Sequence, residues 1–383
     1  MRVLSFQVFG LMGRSRNIEL NFHSDLNIIT GFNGSGKTTI LKLLWFLLSG
    51  NVHIALKEIP FRRCVLETDE YTLSLVRVSE HTCEAEIETS EKKLAFQDEF
   101  DSDHEVLSDA RDEVKDFTSK IGSSLFFPTF RRLEGGFGID DQTSAARSSQ
   151  FPWASTTEIG TLQKAVSAVS RRLSNGQHTF VTSIATTDIS ELIQGKYTDL
   201  SEQANAMQRE INESVVQDIQ NYKSRSDKST QDERDGVAAA LLDEVGRRIE
   251  KVNERRDIIM QPLSAIQRLV IRIFRHKGIK MSGRVSFGDT ADAIASDKLS
   301  AGEKQMLSFI CYNALYSNSI IFIDEPELSL HVDWQRTLFP TLVGQNKDNQ
   351  FIIATHSPFI YSKYPEKELL LASMRGDEDG TES

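Results

Sequence analysis

The chain has 383 residues and a formal net charge of −11 at pH 7, with hydrophobic and charged fractions of 39% and 26%, the composition of an ordinary globular protein. That charge excludes a protein that coats nucleic acid non-specifically, and the length allows one large core or two smaller ones. No apolar run reaches the ~18 residues needed to span a bilayer, the N-terminus lacks the apolar core of a secretory signal, and Cys64, Cys83 and Cys311 have no metal or disulfide spacing, so free thiols, a cytoplasmic location and no membrane partner are expected.

In chain order, Leu4, Phe6 and Val8 alternate with polar residues and Ile18–Phe22 alternates again, which predicts two strands around a loop with Gly13, Arg14 and Arg16. That loop reads as a solvated turn or as a nucleotide contact. The apolar run Leu26–Thr30 then leads into Gly31-Phe-Asn-Gly-Ser-Gly-Lys-Thr38, which fits the phosphate-loop pattern G-x-x-x-x-G-K-[ST] at every fixed position, and an apolar helix follows to Leu48. Glycines at 31, 34 and 36 let backbone N–H groups line an anion-binding concavity at the helix start. The candidate nucleotide-binding residues are Gly31, Asn33, Gly34, Ser35, Gly36, Lys37, Thr38 and Thr39; Lys37 is placed to reach the β- and γ-phosphates and Thr38 to hold Mg²⁺.

Residues 64–78 read as two strands around an Asp69-Glu70 turn and residues 84–89 continue the alternation, so a small antiparallel meander is expected. Residues 96–120 are acidic and polar, as for an exposed connection or surface helix. Ser124–Arg132 reads as a buried strand ending in two arginines, and 133–153 as a long loop. Residues 157–275 read mostly as helix. Steps of three and four from Leu242 meet Val245, Ile249, Val252, Arg256, Ile259, Leu263, Ile266, Val270 and Ile273, apolar everywhere but Arg256, a coiled-coil-like stripe interrupted or bent at Pro262. Its polar face carries Arg247, Arg248, Lys251, Arg255 and Arg268, either a solvated face or a surface for a partner or nucleic-acid phosphates. The polar stretch 224–236 marks a hairpin tip or linker.

The C-terminal part holds a second constellation. Asp297–Met306 runs into an apolar helix, Ile320–Ile323 is a buried parallel strand ending in Asp324-Glu325-Pro326, and Phe351–Pro358 is a further strand ending in Thr355-His356-Ser357. Ligands of open parallel sheets sit beyond the carboxyl ends of the strands, where Lys37, Asp324, Glu325 and His356 would collect. Asp324 would hold Mg²⁺ with Thr38, Glu325 would orient or deprotonate the attacking water, and His356 would polarise the γ-phosphate.

Together these segments resemble the ABC-type ATPases, and among them the SMC-like, RecF-like and OLD-family group rather than the transporters, whose short insert does not match one of over a hundred residues. Leu299-Ser-Ala-Gly-Glu-Lys-Gln305 is similar to the family's signature motif, Asp324–His331 to its Walker B segment with D-loop, and Thr355–Pro358 to its switch histidine. The resemblance implies an α/β fold, an ATPase head with a central mostly parallel sheet and an antiparallel β subdomain, plus a helical coiled-coil insertion. It places head segments at 1–150 and 281–371, the arm at 151–280 and a polar tail at 372–383. It also implies ATP and Mg²⁺ as ligands, and a head-to-tail homodimer or larger homo-oligomer in which Ser300 and Gly302 bind the γ-phosphate held by the other copy. The family's Q-loop glutamine has no clear counterpart, and 126–132 stands at its place. No nuclease domain of the OLD type follows the ATPase, so an effector protein, nuclease or toxin, is expected in trans, as in stand-alone ATPases of Septu-, PARIS- or retron-type anti-phage defence systems. The alternative is a RecF-like ATPase that clamps or repairs DNA.

Overall fold

The computed structural model describes residues 1–13, 17–100, 106–129, 168–181, 186–226, 231–276 and 300–371. In chain order its elements are β1 (Val3–Phe9), β2 (Ile18–Asn21), β3 (Leu26–Thr30), α1 (Lys37–Leu48), α2 (Val52–Glu58), β4 (Arg63–Thr68), β5 (Thr72–Arg77), β6 (Cys83–Glu88), β7 (Lys93–Gln97), β8 (Glu99–Phe100), β9 (Val106–Ser108), α3 (Ala110–Thr118), β10 (Ser124–Phe127) and β11 (His178–Phe180). There follow α4 (Thr186–Ser226), α5 (Gln231–His276), α6 (Ala301–Leu315), β12 (Ile320–Asp324), α7 (Val332–Gln345), β13 (Gln350–Ala354), α8 (Pro358–Tyr361) and β14 (Glu368–Leu370). The chain divides into two compact units, Met1–Ile184 with Leu299–Phe309 and Tyr316–Ser383, and Ala185–Lys298 with Ile310–Leu315.

In the first unit β3, β10, β12 and β13, which read as apolar runs, are joined by β11 and β14 in a parallel sheet of order β11-β10-β12-β13-β3-β14. Every residue of β3, β10, β12 and β13 is buried, as expected of strands covered on both faces. The alternating strands instead form an antiparallel sheet, β2-β1-β4-β5-β6-β7, with one wet face. Helix α1 is buried on nearly all sides, and its leucines share one core with Phe6, Leu66 and Leu73 of the antiparallel sheet and with Phe126, Phe322 and Ile352 of the parallel one. Trp45 is its anchor, with ring centroids 5.4 Å from Phe126 and 5.2 Å from Phe180. At ~1.5–3 kcal/mol for each large apolar side chain withdrawn from water, α1 is costly to displace.

Several expectations are refined. The meander gains β7, and the acidic stretch after it contains α3, whose Ala110, Val114 and Thr118 are buried at helical spacing. Within the segment read as helical, His178–Phe180 is a short strand on the edge of the parallel sheet, since three residues carry too little period to announce a strand. In the second unit α4 and α5, 41 and 46 residues long, pack on one another, with Arg248 Nη1 donating to Ser214 Oγ at 3.0 Å. Helix α5 continues through Pro262 rather than being interrupted there. Val252, Leu263 and Ile266 of the stripe are buried, whereas Leu242 and Ile249 are exposed. Arg14 and Arg16, Arg131 and Arg132, the loop 133–153, the start of the signature segment at 297–299 and the polar tail lie outside the described residues, as do 227–230 of the hairpin tip. The three cysteines are buried and free.

A buried histidine ties the N-terminal end of the parallel sheet together. His178 is fully buried; its Nε2 donates to the Thr118 carbonyl at 3.3 Å, which leaves Nδ1 to accept from Ser124 Oγ at 2.8 Å. Burial lowers its pKa below 6.5, against the smaller opposing effect of its hydrogen bonds to backbone carbonyls. A neutral ring in the fold and a protonating ring in the unfolded chain give stability that is full above pH 6.5 and lost as the pH falls below it. His178→Phe should therefore cost about 1–3 kcal/mol near neutrality by leaving the buried Ser124 Oγ unpartnered, while the Thr118 carbonyl keeps the N–H of Ile121. In urea unfolding, that deficit relative to wild type should narrow between about pH 8 and about pH 5.5.

Candidate active site

The phosphate loop begins where β3 ends. Gly34 and Gly36 have φ of 79° and 102°, in the left-handed region that an L side chain resists. A Cβ on Gly31 would stand 2.8 Å from Ser35 Oγ, so the loop closes on itself only with glycine there. Gly36 caps α1 without a side-chain acceptor, which leaves the first N–H groups of the helix to a ligand. Asn33 and Gly34 are exposed, Thr38 and Thr39 are half-buried, and Ser35 is buried with its N–H on the Phe32 carbonyl at 3.1 Å. Lys37 is 5% exposed and its Nζ donates to the carbonyls of Gly31 at 2.9 Å and Phe32 at 3.2 Å, so it folds back across the loop. Burial lowers its pKa, while Glu325, Asp324 and Glu327 oppose that shift through their negative charge.

The order of the sheet brings the second constellation to this loop. β13 lies between β3 and β12, with Ala354 in register with both Ile29 and Asp324. Asp324 is thereby set opposite Thr38, whose Oγ1 donates to Oδ1 at 3.0 Å, while Thr129 Oγ1 donates to Oδ2. Asp324 is 2% exposed and burial raises its pKa, with Thr129, Thr38, Lys42 and Lys37 pulling the other way. A buried carboxylate whose neighbours only partly offset its desolvation, beside a hydroxyl oxygen, is a hard oxygen donor set that fits Mg²⁺. Among the described residues no cluster of three or more His, Cys, Asp and Glu could cage a metal alone, which also suits an ion that leans on phosphate oxygens.

Glu325 leaves the strand in the left-handed region, φ 49°, with its N–H on the Ala354 carbonyl at 2.8 Å. This reversal starts the turn closed by Leu328 N–H on the Glu325 carbonyl and Leu330 N–H on that of Glu327. His356, two residues beyond β13, is half-buried; burial lowers its pKa, Lys37 adds to that and Asp324 opposes it. Its imidazole is therefore neutral at pH 7, able to donate one N–H.

Lys37, Thr38, Asp324, Glu325 and His356 thus meet at one end of the sheet. Ser300 and Gly302 do not join them. Ser300 begins α6, with its N–H and Oγ on Glu303 Oε2 at 2.8 and 2.9 Å in a capping box. Gly302 is buried against the turn after β12, where an added Cβ would overlap the Ser329 carbonyl oxygen, and Gln305 Nε2 reaches the Pro326 carbonyl at 3.5 Å. Sequence reasoning left three residues without a role. Thr129 touches Asp324, and a hydroxyl beyond a strand end carries no signal of its own. Glu327 and Gln335 join the turn after β12 to the Thr355–Ser357 segment through Thr355 Oγ1, His356 N–H and Ser357 Oγ; the extra carboxylate in Asp324-Glu-Pro-Glu327 was the signal available. Gly302→Ala should shift the turn or be expelled from it at a cost of about 1–3 kcal/mol, read as a lower melting temperature than that of the neighbouring Ala301→Gly control.

The family model for the AAA ATPase domain matches residues 13–361. The chain is similar to the Retron Ec83 probable ATPase of Escherichia coli, 38% identical over 74 residues, which is 16% of this chain and 14% of that protein. It is also similar to the Retron Vc95 probable ATPase of Vibrio cholerae serotype O1 biovar El Tor, 30% identical over 84 residues, 18% and 16% of the two chains. The alignment thus spans under a fifth of either curated relative. Among solved structures, the Smc head domain with an extended coiled coil bound to the C-terminal domain of ScpA, from Pyrococcus furiosus, aligns over 94% of this chain and 91% of its own, at 14% identity and a TM-score of 0.37. The SmcHead bound to the C-winged helix domain of ScpA aligns over 94% and 92%, at 12% and 0.36. With a phosphate loop, a buried carboxylate beside it and a family match across most of its length, the chain belongs to the AAA ATPase domain family.

Proposed function

We propose that two copies of this chain close head to tail around ATP, hydrolyse it, and through the helical segment 151–280 hold or release a partner effector, a nuclease or toxin, in anti-phage defence. The observation that carries the chemical part is the convergence of Thr38 Oγ1 on Asp324 Oδ1 at 3.0 Å beside Lys37. The names of the two retron relatives support the defence setting. Ser300, exposed at the start of α6, and Gly302, packed on the turn after β12, suit residues that serve a second copy. Among the described residues no helix is long and apolar enough to cross a membrane.

In this reading the loop N–H groups and Lys37 receive the β- and γ-phosphates, Lys37 exchanging its loop carbonyls for phosphate oxygens. Thr38 and Asp324 would hold Mg²⁺, which when bound neutralises charge on those oxygens. Thr129 keeps the second oxygen of Asp324 occupied and so fixes its rotamer. Glu325 orients the attacking water and takes its proton as the water oxygen bonds to the γ-phosphorus and the bond to the bridging oxygen breaks, giving ADP and phosphate. Neutral His356 donates an N–H to the γ-phosphate.

Lys37→Ala should abolish nucleotide binding, measured by calorimetry, with the far-UV circular dichroism of wild type. Glu325→Gln should still bind ATP while hydrolysis falls by about 10²–10⁴, and light scattering should show it associating when Mg-ATP is added. Its backbone strain is that of wild type, so a folding defect does not cloud the result. Unchanged turnover in this variant would remove Glu325 from the mechanism. Co-purification of a nuclease or toxin that depends on ATP supports effector control; salt-dependent DNA binding that needs ATP, with no such partner, would replace it with the DNA-clamping alternative.

A further inference from the structure

Glu327 is an acidic side chain beside the site that the hydrolysis scheme leaves without a task. It sits in the turn after β12, two residues past Glu325, and its two carboxylate oxygens reach the end of β13. Oε1 accepts the backbone N–H of His356 at 2.6 Å, and Oε2 accepts from Thr355 Oγ1 at 2.8 Å. Thr355 Oγ1 in turn accepts the N–H of Ser357 at 3.0 Å. One side chain thus fixes three consecutive residues. Because both oxygens act as acceptors, the ionised form matches the arrangement; burial and the charge of Glu325 favour the proton, and the donated hydrogen bonds oppose them.

A second stitch joins the same segments. Ser357 Oγ donates to Gln335 Oε1 at 2.6 Å, and Gln335 Nε2 donates to the Leu330 carbonyl at 2.8 Å. Loss of Glu327 therefore leaves the turn and the strand end connected, but releases the main chain at His356 itself. Hydrogen bonds to an ionised acceptor are stronger than those between neutral groups, so the first stitch is the tighter one.

We infer that Glu327 is a positioning residue for hydrolysis: it clamps the main chain at His356, sets how deeply the imidazole enters the phosphate site, and couples that depth to the turn that carries Glu325. The inference rests on the proposed roles of Glu325 and His356. A displacement of about 1 Å in a group that must meet the transition state can cost roughly 10²-fold in rate, whereas nucleotide affinity is carried by the loop and Lys37, which Glu327 does not hold.

The test is steady-state ATP hydrolysis by the full chain. Glu327→Ala should lower kcat by about 10–100-fold with KM for ATP within about twofold. Glu327→Gln, whose amide oxygen can still accept the His356 N–H, should keep kcat within about threefold of wild type. His178→Phe serves as a destabilised control at the other end of the sheet and should keep wild-type kcat. Wild-type kcat in Glu327→Ala would overturn the inference. So would a loss shared by His178→Phe, which marks general destabilisation, or a glutamine variant as impaired as the alanine one, which marks a need for the charge itself. If wild type hydrolyses ATP and Lys37→Ala does not, a normal Glu327→Ala sinks this inference alone; if wild type does not hydrolyse ATP, the reading beneath it falls too.

Discussion

A hydroxyl and a carboxylate from positions 286 residues apart meet at 3.0 Å, and much of the first unit can be understood as what that meeting requires. Thr38 is carried by the first turn of α1 and Asp324 by the last residue of β12, so helix and strand must be fixed relative to one another to a fraction of an ångström. The sheet achieves this by slotting β13 between β3 and β12 in continuous register, and α1 by burying leucines and Trp45 against both sheets. Neither partner is comfortable without a guest. Lys37 has its pKa lowered and Asp324 its pKa raised by the same loss of water, and the mutual attraction offsets this only in part. A site of buried, incompletely compensated charges beside the start of a helix that no side chain caps is preorganised for an anion and a small hard cation together.

The phosphate-loop end of this arrangement was legible because an anion-binding loop demands local patterns. Glycines at fixed offsets before Lys37, and apolar runs that stop abruptly at Asp324 and Thr355, report backbone conformation and burial directly. The antiparallel meander was legible for the same reason, since Leu73, Leu75, Ala85 and Ile87 alternate into the core. What escaped notice lacked period or depended on partners distant in sequence. Strand β11 is too short to alternate, Thr129 matters only because Asp324 arrives beside it, and Glu327 looks like surface acid until the end of β13 is laid across it.

The helical stripe shows how little a strong period says about burial. Leu242 and Ile249 satisfy the heptad steps but are exposed, while Val252, Leu263 and Ile266 are covered. A three-four repeat describes which face of a helix is apolar, and not how much of that face meets a neighbour. Its basic face is likewise less free than a tally of arginines suggests, since Arg247 and Arg248 both pair with Glu244 within their own helix.

Glu325 combines acid chemistry with a backbone that an L-amino acid resists. A left-handed residue other than glycine costs about 1–2 kcal/mol, and here it is followed immediately by Pro326. Any selection acting on foldedness alone would drift this position toward glycine, relaxing the chain while deleting its carboxylate. A library screened only for heat tolerance would therefore be enriched in variants that have exchanged this carboxylate for a relaxed backbone.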